Sequence, residues 1–356
     1  MADIRSQLFA NIKKSWLGGA FVAFFVFWIT LWAIDSHRTN RLLTQSIGSP
    51  SYPSSLATPL GTDSNRPLIL YAFFDSQNAR MNLRFFIAHA LHDAADFMFI
   101  FNGETDAMNL LPNATNIRFV QRPNECYDLG SYAAVLVADD LYKQYSRFIL
   151  MNASIRGPFI PYWSEGCWSD MYLDKITDSV KLVGMTLNCI PINHLQSMIL
   201  ATDTLGLTTL LFPTNATIAT FRASLPPYPY TNIPPNSPAV NVPPIEHPGI
   251  NSCPNEYWHA VSVEVHASAL IKAAGYKIDA MMAAFHKSET YEEECEGDVD
   301  SPDVLYEESY YGTNLHPFDT VFAKSNRGTN EMVLRRLTEW TDGRGYSSYD
   351  FCRARK

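Results

Sequence analysis

Leu68-Ile-Leu-Tyr-Ala-Phe-Phe74 runs for seven residues without a charge or a turn former. A short continuous apolar run of this kind reads as a strand buried on both faces, the habit of parallel sheets. Downstream, residues 82–95 carry Leu83, Phe86, Ile87, Ala90 and Leu91 at helical spacing. Phe97-Met-Phe-Ile-Phe101 is a second strand closed by Asn102-Gly103, and residues 116–120 make a third. A helix is expected over 130–145, a fourth strand over 147–151 and a fifth over 180–186. Asn193-His-Leu-Gln-Ser197 reads as the opening of an apolar helix, and 257–285 as helix with Gly275 capping a segment within it. The alternation predicts an α/β fold, a Rossmann-like, mostly parallel sheet flanked by helices. In such sheets the ligand site lies beyond the carboxyl ends of the strands. Residues 225–254 break the pattern: ten of them are proline, which predicts a long, mostly extended excursion.

Upstream of the first strand the chain changes character. Residues 16–34 contain no charge, and at ~1.5 Å per residue they span roughly the hydrocarbon core of a bilayer. Trp16, Trp28 and Trp32 sit near the ends, where indole rings favour the interface. A cleaved signal peptide is the competing reading, but the apolar run is long and no clear small-x-small site follows it. The expectation is an uncleaved transmembrane helix. Arg5, Lys13 and Lys14 before the span against Arg38 and Arg41 after it favour a cytoplasmic tail over 1–15. Residues 35–66, rich in Ser and Thr, read as a flexible stem, and 67–356 as the lumenal domain. This is the plan of a type II membrane protein of the Golgi or ER.

Composition narrows the partners. Apolar residues make up 47% of the chain and charged ones 18%, enough for a sizeable core. The net charge of −9 comes from 27 basic and 36 acidic residues, yet ten of those acids fall within 289–308. The remainder is nearly neutral, so a nucleic-acid partner is not indicated, and the acidic run reads as a solvated loop. All six cysteines follow the apolar span and lack zinc-like spacing, so up to three disulfides in an oxidising lumen are expected. Asn113-Ala-Thr, Asn152-Ala-Ser and Asn215-Ala-Thr are glycosylation sequons in keeping with that compartment.

Strand ends supply the candidate site residues. Asn102 closes the second strand. Asp128 and Gly130 precede the next helix; Asp128 either caps that helix or holds a ribose or base, with Gly130 permitting close approach. Asn152 and Ser154 emerge at the rim where the fourth strand ends, and Arg156 offers a planar fork for phosphate; an ordinary strand-to-loop turn is the alternative. His194 and Gln196 follow, with His194 able to meet phosphate or a sugar hydroxyl, or simply to pack. Glu264 is either a solvated helix-face residue or, in an apolar setting, a general base. A polar loop over 311–327 containing His316 suits a lid or binding loop.

Tyr127-Asp-Leu-Gly-Ser131, Asn152-Ala-Ser-Ile-Arg-Gly-Pro158, Lys181-Leu-Val-Gly184 and His194-Leu-Gln-Ser197 occur in this order. The set resembles the rhamnan-synthesis-F group of glycosyltransferases, and the His-Pro-Phe-Asp segment ending at Asp319 is similar to that of eukaryotic relatives. The resemblance covers roughly 67–327. It implies a GT-A-like fold, a nucleotide-sugar donor and a glycan or other hydroxyl acceptor. Many GT-A enzymes hold Mn²⁺ or Mg²⁺ with Asp-x-Asp at the end of the fourth strand. Asn152-Ala-Ser154 occupies that place, and neutral oxygens are poor substitutes for carboxylates. Either other residues such as His316 or Asp319 hold the metal, or cations from Arg and His do its work.

The expected function is transfer of a sugar to an acceptor hydroxyl by inverting single displacement, with Glu264 as base. A non-catalytic nucleotide-sugar-binding or scaffold domain on the same fold is the alternative.

Overall fold

The computed structural model describes residues 66–353 except 232, 234–236, 298–302 and 328–329. The tail, the apolar span and all of the stem but Arg66 lie outside the described residues; among those described, no helix is long and apolar enough to cross a membrane. The described residues fall within one compact unit, Pro59–Lys356.

Seven strands form the central sheet: β1 (Leu68–Phe74), β2 (Asp96–Asn102), β3 (Ile117–Arg122), β4 (Arg147–Asn152), β5 (Val180–Gly184), β6 (Ile199–Asp203) and β7 (Lys277–Ala280). Their order is β3-β2-β1-β4-β6-β5-β7, and only β6 runs against the rest. The helices that matter are α1 (Gln77–His89), α2 (Tyr127–Val137), α3 (Trp168–Leu173), α4 (Thr204–Leu211), α5 (Asn215–Ser224), α6 (Tyr257–Ala273) and α7 (Glu331–Arg344). The mostly parallel α/β sheet expected from the apolar runs is present.

Alternation along each strand covers both faces. Ile69, Tyr71, Phe73, Phe97, Phe99, Phe101, Ile149 and Met151 join one core with Phe86 of α1 and Trp168 of α3. The intervening Leu68, Leu70, Ala72, Met98, Phe148 and Leu150 are buried on the opposite face, where α2, α4 and α6 pack. Each large side chain so buried contributes about 1.5–3 kcal/mol, which is why β1, β2 and β4 read so plainly as continuous apolar runs. The chain winds outward from β1 to β3, then returns past β1 to start β4. The switch in winding direction therefore falls between β1 and β4, whose register pairs Ala72 with Asn152. A crevice for ligands is expected at that point.

Several expected elements differ. The helix after β3 runs from Tyr127 to Val137 and gives way to a 3₁₀ segment, Ala138–Lys143. The segment expected as one helix over 257–285 is α6, then Gly275 with φ +89°, then β7. His194-Leu-Gln-Ser197 opens no helix. His194–Leu195 pairs with Leu187–Asn188 in a small antiparallel ladder, and the chain continues as β6. The four apolar residues from Met198 to Ala201 are too few to tell the helical period from the strand period.

All six cysteines are joined: Cys126–Cys253, Cys167–Cys352 and Cys189–Cys295, separated by 127, 185 and 106 residues. Loops this long give about 4–5 kcal/mol per bond in the chain-entropy account. The acidic run is not simply solvated. Cys295 anchors the short helix Tyr291–Gly297, and Lys272 Nζ donates to Glu292 at 2.8 Å.

Candidate functional site

Period-two alternation aims Met151 into the α1-side core and Asn152 onto the opposite face, toward the start of α2. There the Asn152 amide donates to Asp128 Oδ2 at 2.7 Å. Asp128 is not a helix cap, because the N-cap of α2 is Cys126, which makes no side-chain capping bond. Burial pushes the Asp128 carboxyl up to about 6, against the opposing pull of the Lys324 ammonium and the Asn152 amide. Asn152 Oδ1 accepts from Ser154 N at 3.0 Å and from the Ser154 hydroxyl. The hydroxyl in turn accepts from Lys324 Nζ at 2.8 Å. With its amide spent in this network and only 6% exposed, Asn152 is no glycosylation acceptor, whereas Asn113 and Asn215 are exposed.

Lys324 reaches the rim because Ala323–Lys324 forms a short antiparallel ladder with Ile155–Arg156, just beyond β4. Burial pushes the ammonium below the usual lysine range, while Glu264, Asp128 and Asp303 pull it back up.

Next to this rim opens a cleft of about 460 Å³. His194, Gln196, Glu264, Asp303 and Arg327 supply its charged and polar lining, while Ile190, Pro238, Val242, Tyr257, Trp258 and Val261 supply apolar wall. Glu264 projects from α6, and one of its oxygens accepts from both the backbone N–H of Ser197 (3.0 Å) and the Ser197 hydroxyl. His194 Nδ1 donates to the Ile192 carbonyl oxygen at 2.8 Å. Burial lowers its pKa, with Glu264 acting in the other direction. A neutral ring with Nδ1 protonated leaves Nε2 as the unprotonated nitrogen. The Gln196 amide donates to both oxygens of Asp303 at 3.2 and 3.1 Å, and its Oε1 accepts from Thr186 at 2.7 Å. Arg327 also pairs with Asp303, and its guanidinium lies 5.3 Å from the Tyr306 ring centroid.

The structure thus brings together Asp128, Asn152, Ser154, His194, Gln196 and Glu264. Four other candidates fall elsewhere. Arg156 does not join Asp128 and Asn152. Its Nε donates to Asn82 Oδ1 of α1 at 2.9 Å and its Nη1 to Thr338 of α7 at 3.3 Å, so it ties two helices together on the other side of the sheet. Gly130 serves packing: a Cβ there would lie 2.6 Å from Cys126 Cβ and 3.4 Å from Cys253 Cα, so its bareness makes room for a disulfide. Asn102 is buried and accepts from Arg122 Nη1 at 2.8 Å, bracing the loop into α2. His316 is exposed and caps the short helix Pro317–Thr320, its Nδ1 accepting from Phe318 N at 3.1 Å.

Three participants were not singled out beforehand: Asp303, and Lys324 and Arg327, which entered only as part of the polar loop over 311–327. Asp303 belongs to the acidic run read as solvated, yet its side chain is only 11% exposed. For Lys324 the one available signal was a lysine closing the apolar triplet Val321-Phe-Ala323.

Compared with family models, the chain matches none, and no curated protein sequence matches it.

Proposed function

We propose that the chain is a membrane-anchored glycosyltransferase of GT-A-like fold, acting in the lumen of the Golgi or ER on a nucleotide-sugar donor and a hydroxyl acceptor. The observation that carries this reading is the convergence, at the carboxyl edge of a mostly parallel sheet, of residues from three separate motifs with a carboxylate on α6. Asp128, Asn152 and His194 come from segments far apart in the chain, and they meet Glu264 beside a cleft large enough for a sugar. Aromatic and aliphatic wall on one side with polar groups on the other suits a hydroxyl-rich ring, which presents both kinds of surface.

In this reading the acceptor oxygen attacks the anomeric carbon of the donor. Its proton passes to Glu264, and the bonding pair of the anomeric C–O bond leaves with the nucleoside diphosphate. Glu264 keeps one oxygen fixed by Ser197, which orients the carboxylate for that proton. His194, neutral through burial, supplies a hydrogen-bonding nitrogen at the cleft. The neutral Asn152–Ser154 pair favours a second reading, a domain that binds sugar nucleotides without turning them over.

The test is incubation of the purified full-length protein in detergent micelles with a panel of nucleotide sugars, with and without Mn²⁺. Release of nucleoside diphosphate or labelled product is the expected result. Binding without release supports the second reading, and neither binding nor release overturns both.

A further inference from the structure

The proline-rich excursion, residues 225–254, takes no part in the chemistry above, yet it helps to build the cleft. Val242 is buried with Ile192 and Val265 of α6. The Ser262 hydroxyl donates to the Pro243 carbonyl oxygen at 2.8 Å, and the Tyr230 hydroxyl lies 3.2 Å from His266 Nε2. Held on α6 in this way, Ser237, Pro238 and Val242 line the cleft. Tyr257, Val261 and Glu264 line it from α6 at helical spacing, with Trp258 beside them.

We propose that this cleft is the acceptor subsite and takes an uncharged oligosaccharide, a disaccharide or longer, with its reacting ring at Glu264 and the next ring against Tyr257 and Trp258. This rests on the transferase reading above and names its acceptor.

The length follows from the helix. β7 runs parallel to β5, and α6 ends shortly before β7 begins. The helix therefore starts at the carboxyl edge of the sheet, with Tyr257 in its first turn. Seven positions separate Tyr257 from Glu264, about 10 Å along the axis. A single pyranose ring does not cover that distance, whereas two linked rings do. Tyr257 is 55% exposed, and its ring lies 5.0 Å from that of Trp258 at 72°. The pair gives the C–H face of a sugar an apolar corner.

The polar groups set the charge. His194 is 2% exposed and lines the cleft, yet its Nε2 has no hydrogen-bond partner among the described residues. The same is true of one Glu264 oxygen, the other being held by Ser197. Both atoms accept hydrogen bonds, and sugar hydroxyls donate them. Arg327 is the one Lys or Arg among the described lining residues, and it is paired with Asp303. Beyond that pair the lining carries the formal negative charge of Glu264, which turns away a carboxylate or phosphate on the acceptor. The residues present do not fit a divalent ion that would offset it. At the end of β4, Asn152 and Ser154 are committed to each other, to Asp128 and to Lys324. Among the described residues, the one set of three His, Cys, Asp or Glu ligand atoms within 4.8 Å is His92, Cys167 and Cys352, whose sulfurs are joined in the core.

The test titrates neutral disaccharides (maltose, cellobiose, lactose and diacetylchitobiose), their monosaccharides and their uronic-acid counterparts onto the full-length protein by ligand-observed NMR, in micelles of a sugar-free detergent. At least one disaccharide should bind at least about tenfold more tightly than its component rings and its acidic counterpart, the margin of one aromatic anchor. Tyr257→Ala and Trp258→Ala should each remove most of that margin, and Trp258→Phe should keep it. Uridine and guanosine diphosphate affinities, read by calorimetry, should stay within about twofold in Tyr257→Ala. Unfolding midpoints check the variants; if Trp258→Ala does not fold, the exposed Tyr257 decides. Equal binding of single and paired rings, preference for the acidic sugars, an unchanged margin in folded variants, loss of nucleotide affinity in Tyr257→Ala, or no saccharide binding at all overturns the inference. In each of those cases the transferase reading stands if a donor sugar still releases its nucleoside diphosphate, and falls with the inference if it does not.

Discussion

Asn152 and Arg156 stand four residues apart at the end of the same strand, and they do opposite things. Asn152 closes β4 on the face that looks toward α2, so its amide meets Asp128 and, through Ser154, Lys324. Arg156 follows a turn, enters the two-residue ladder and points back over the α1 side, where it fastens Asn82 to Thr338. One residue joins the polar network at the rim and the other holds the frame. Nearness to a strand's carboxyl end therefore does not assign a residue to a site; the face it takes decides. A guanidinium with both neighbours satisfied by neutral partners behaves as a cross-link. A chain of amide, carboxylate, hydroxyl and ammonium at the rim is a place where charge can be rearranged.

The sharpest way to test the cleft side of this contrast is Glu264→Gln. Removal of a general base typically costs 10²–10⁴-fold in rate, so turnover should fall by at least about a hundredfold while donor affinity stays within a fewfold. Product formation against a radiolabelled donor measures the first and calorimetry the second. Wild-type turnover in the variant would move the base to another group of the cleft, such as His194.

Arg156→Ala tests the frame side. It strands the buried Asn82 Oδ1, while the Thr338 hydroxyl keeps its bond to the Leu334 carbonyl; the loss should destabilise the fold by about 1–3 kcal/mol and leave nucleotide affinity within about twofold. If affinity collapses at unchanged stability, the contrast between the two faces fails. A third substitution probes the joint between them. Gly130→Ala puts a methyl 2.6 Å from Cys126 Cβ, and the strain should cost on the order of 1–3 kcal/mol. Urea unfolding reads that loss. Its coupling to a Cys126→Ser, Cys253→Ser double change would show that the disulfide is what the glycine accommodates.

The same contrast explains what could be read in advance. β1, β2 and β4 announce themselves because a strand covered on both faces must be apolar at every position, and the end of β4 drew attention to Asn152, whose amide the structure joins to Asp128. β6 and β7 did not, since five and four residues carry no resolvable period and their assignment depends on neighbours supplied by the fold. Gly130 was read as a concession to a ligand when it concedes space to a disulfide, and cysteine pairing is invisible in one dimension. Asp303, Lys324 and Arg327 reach the rim only because the chain folds back after α6. Their role lies in topology, and the charge run around Asp303 pointed toward solvent instead.

The pH dependence of stability is the effect most diagnostic of the rim. Asp128 has a folded-state pKa pushed up to about 6 from an ordinary value of 3.8. Between those values the folded protein holds a proton that the unfolded chain releases, so this group's contribution is full at low pH and is lost as pH rises through about 6. Asp128→Asn cannot titrate. Its unfolding free energy relative to wild type should therefore climb from about pH 4 to pH 6 and then level off, a change on the order of 2 kcal/mol. The attraction between Asp128 and Lys324 operates only where Asp128 is ionised and is already contained in that folded-state pKa, so it adds no separate pH dependence. Urea midpoints at pH 4, 5, 6 and 7 measure the difference. A flat difference would mean that Asp128 is ionised at no cost in the folded protein.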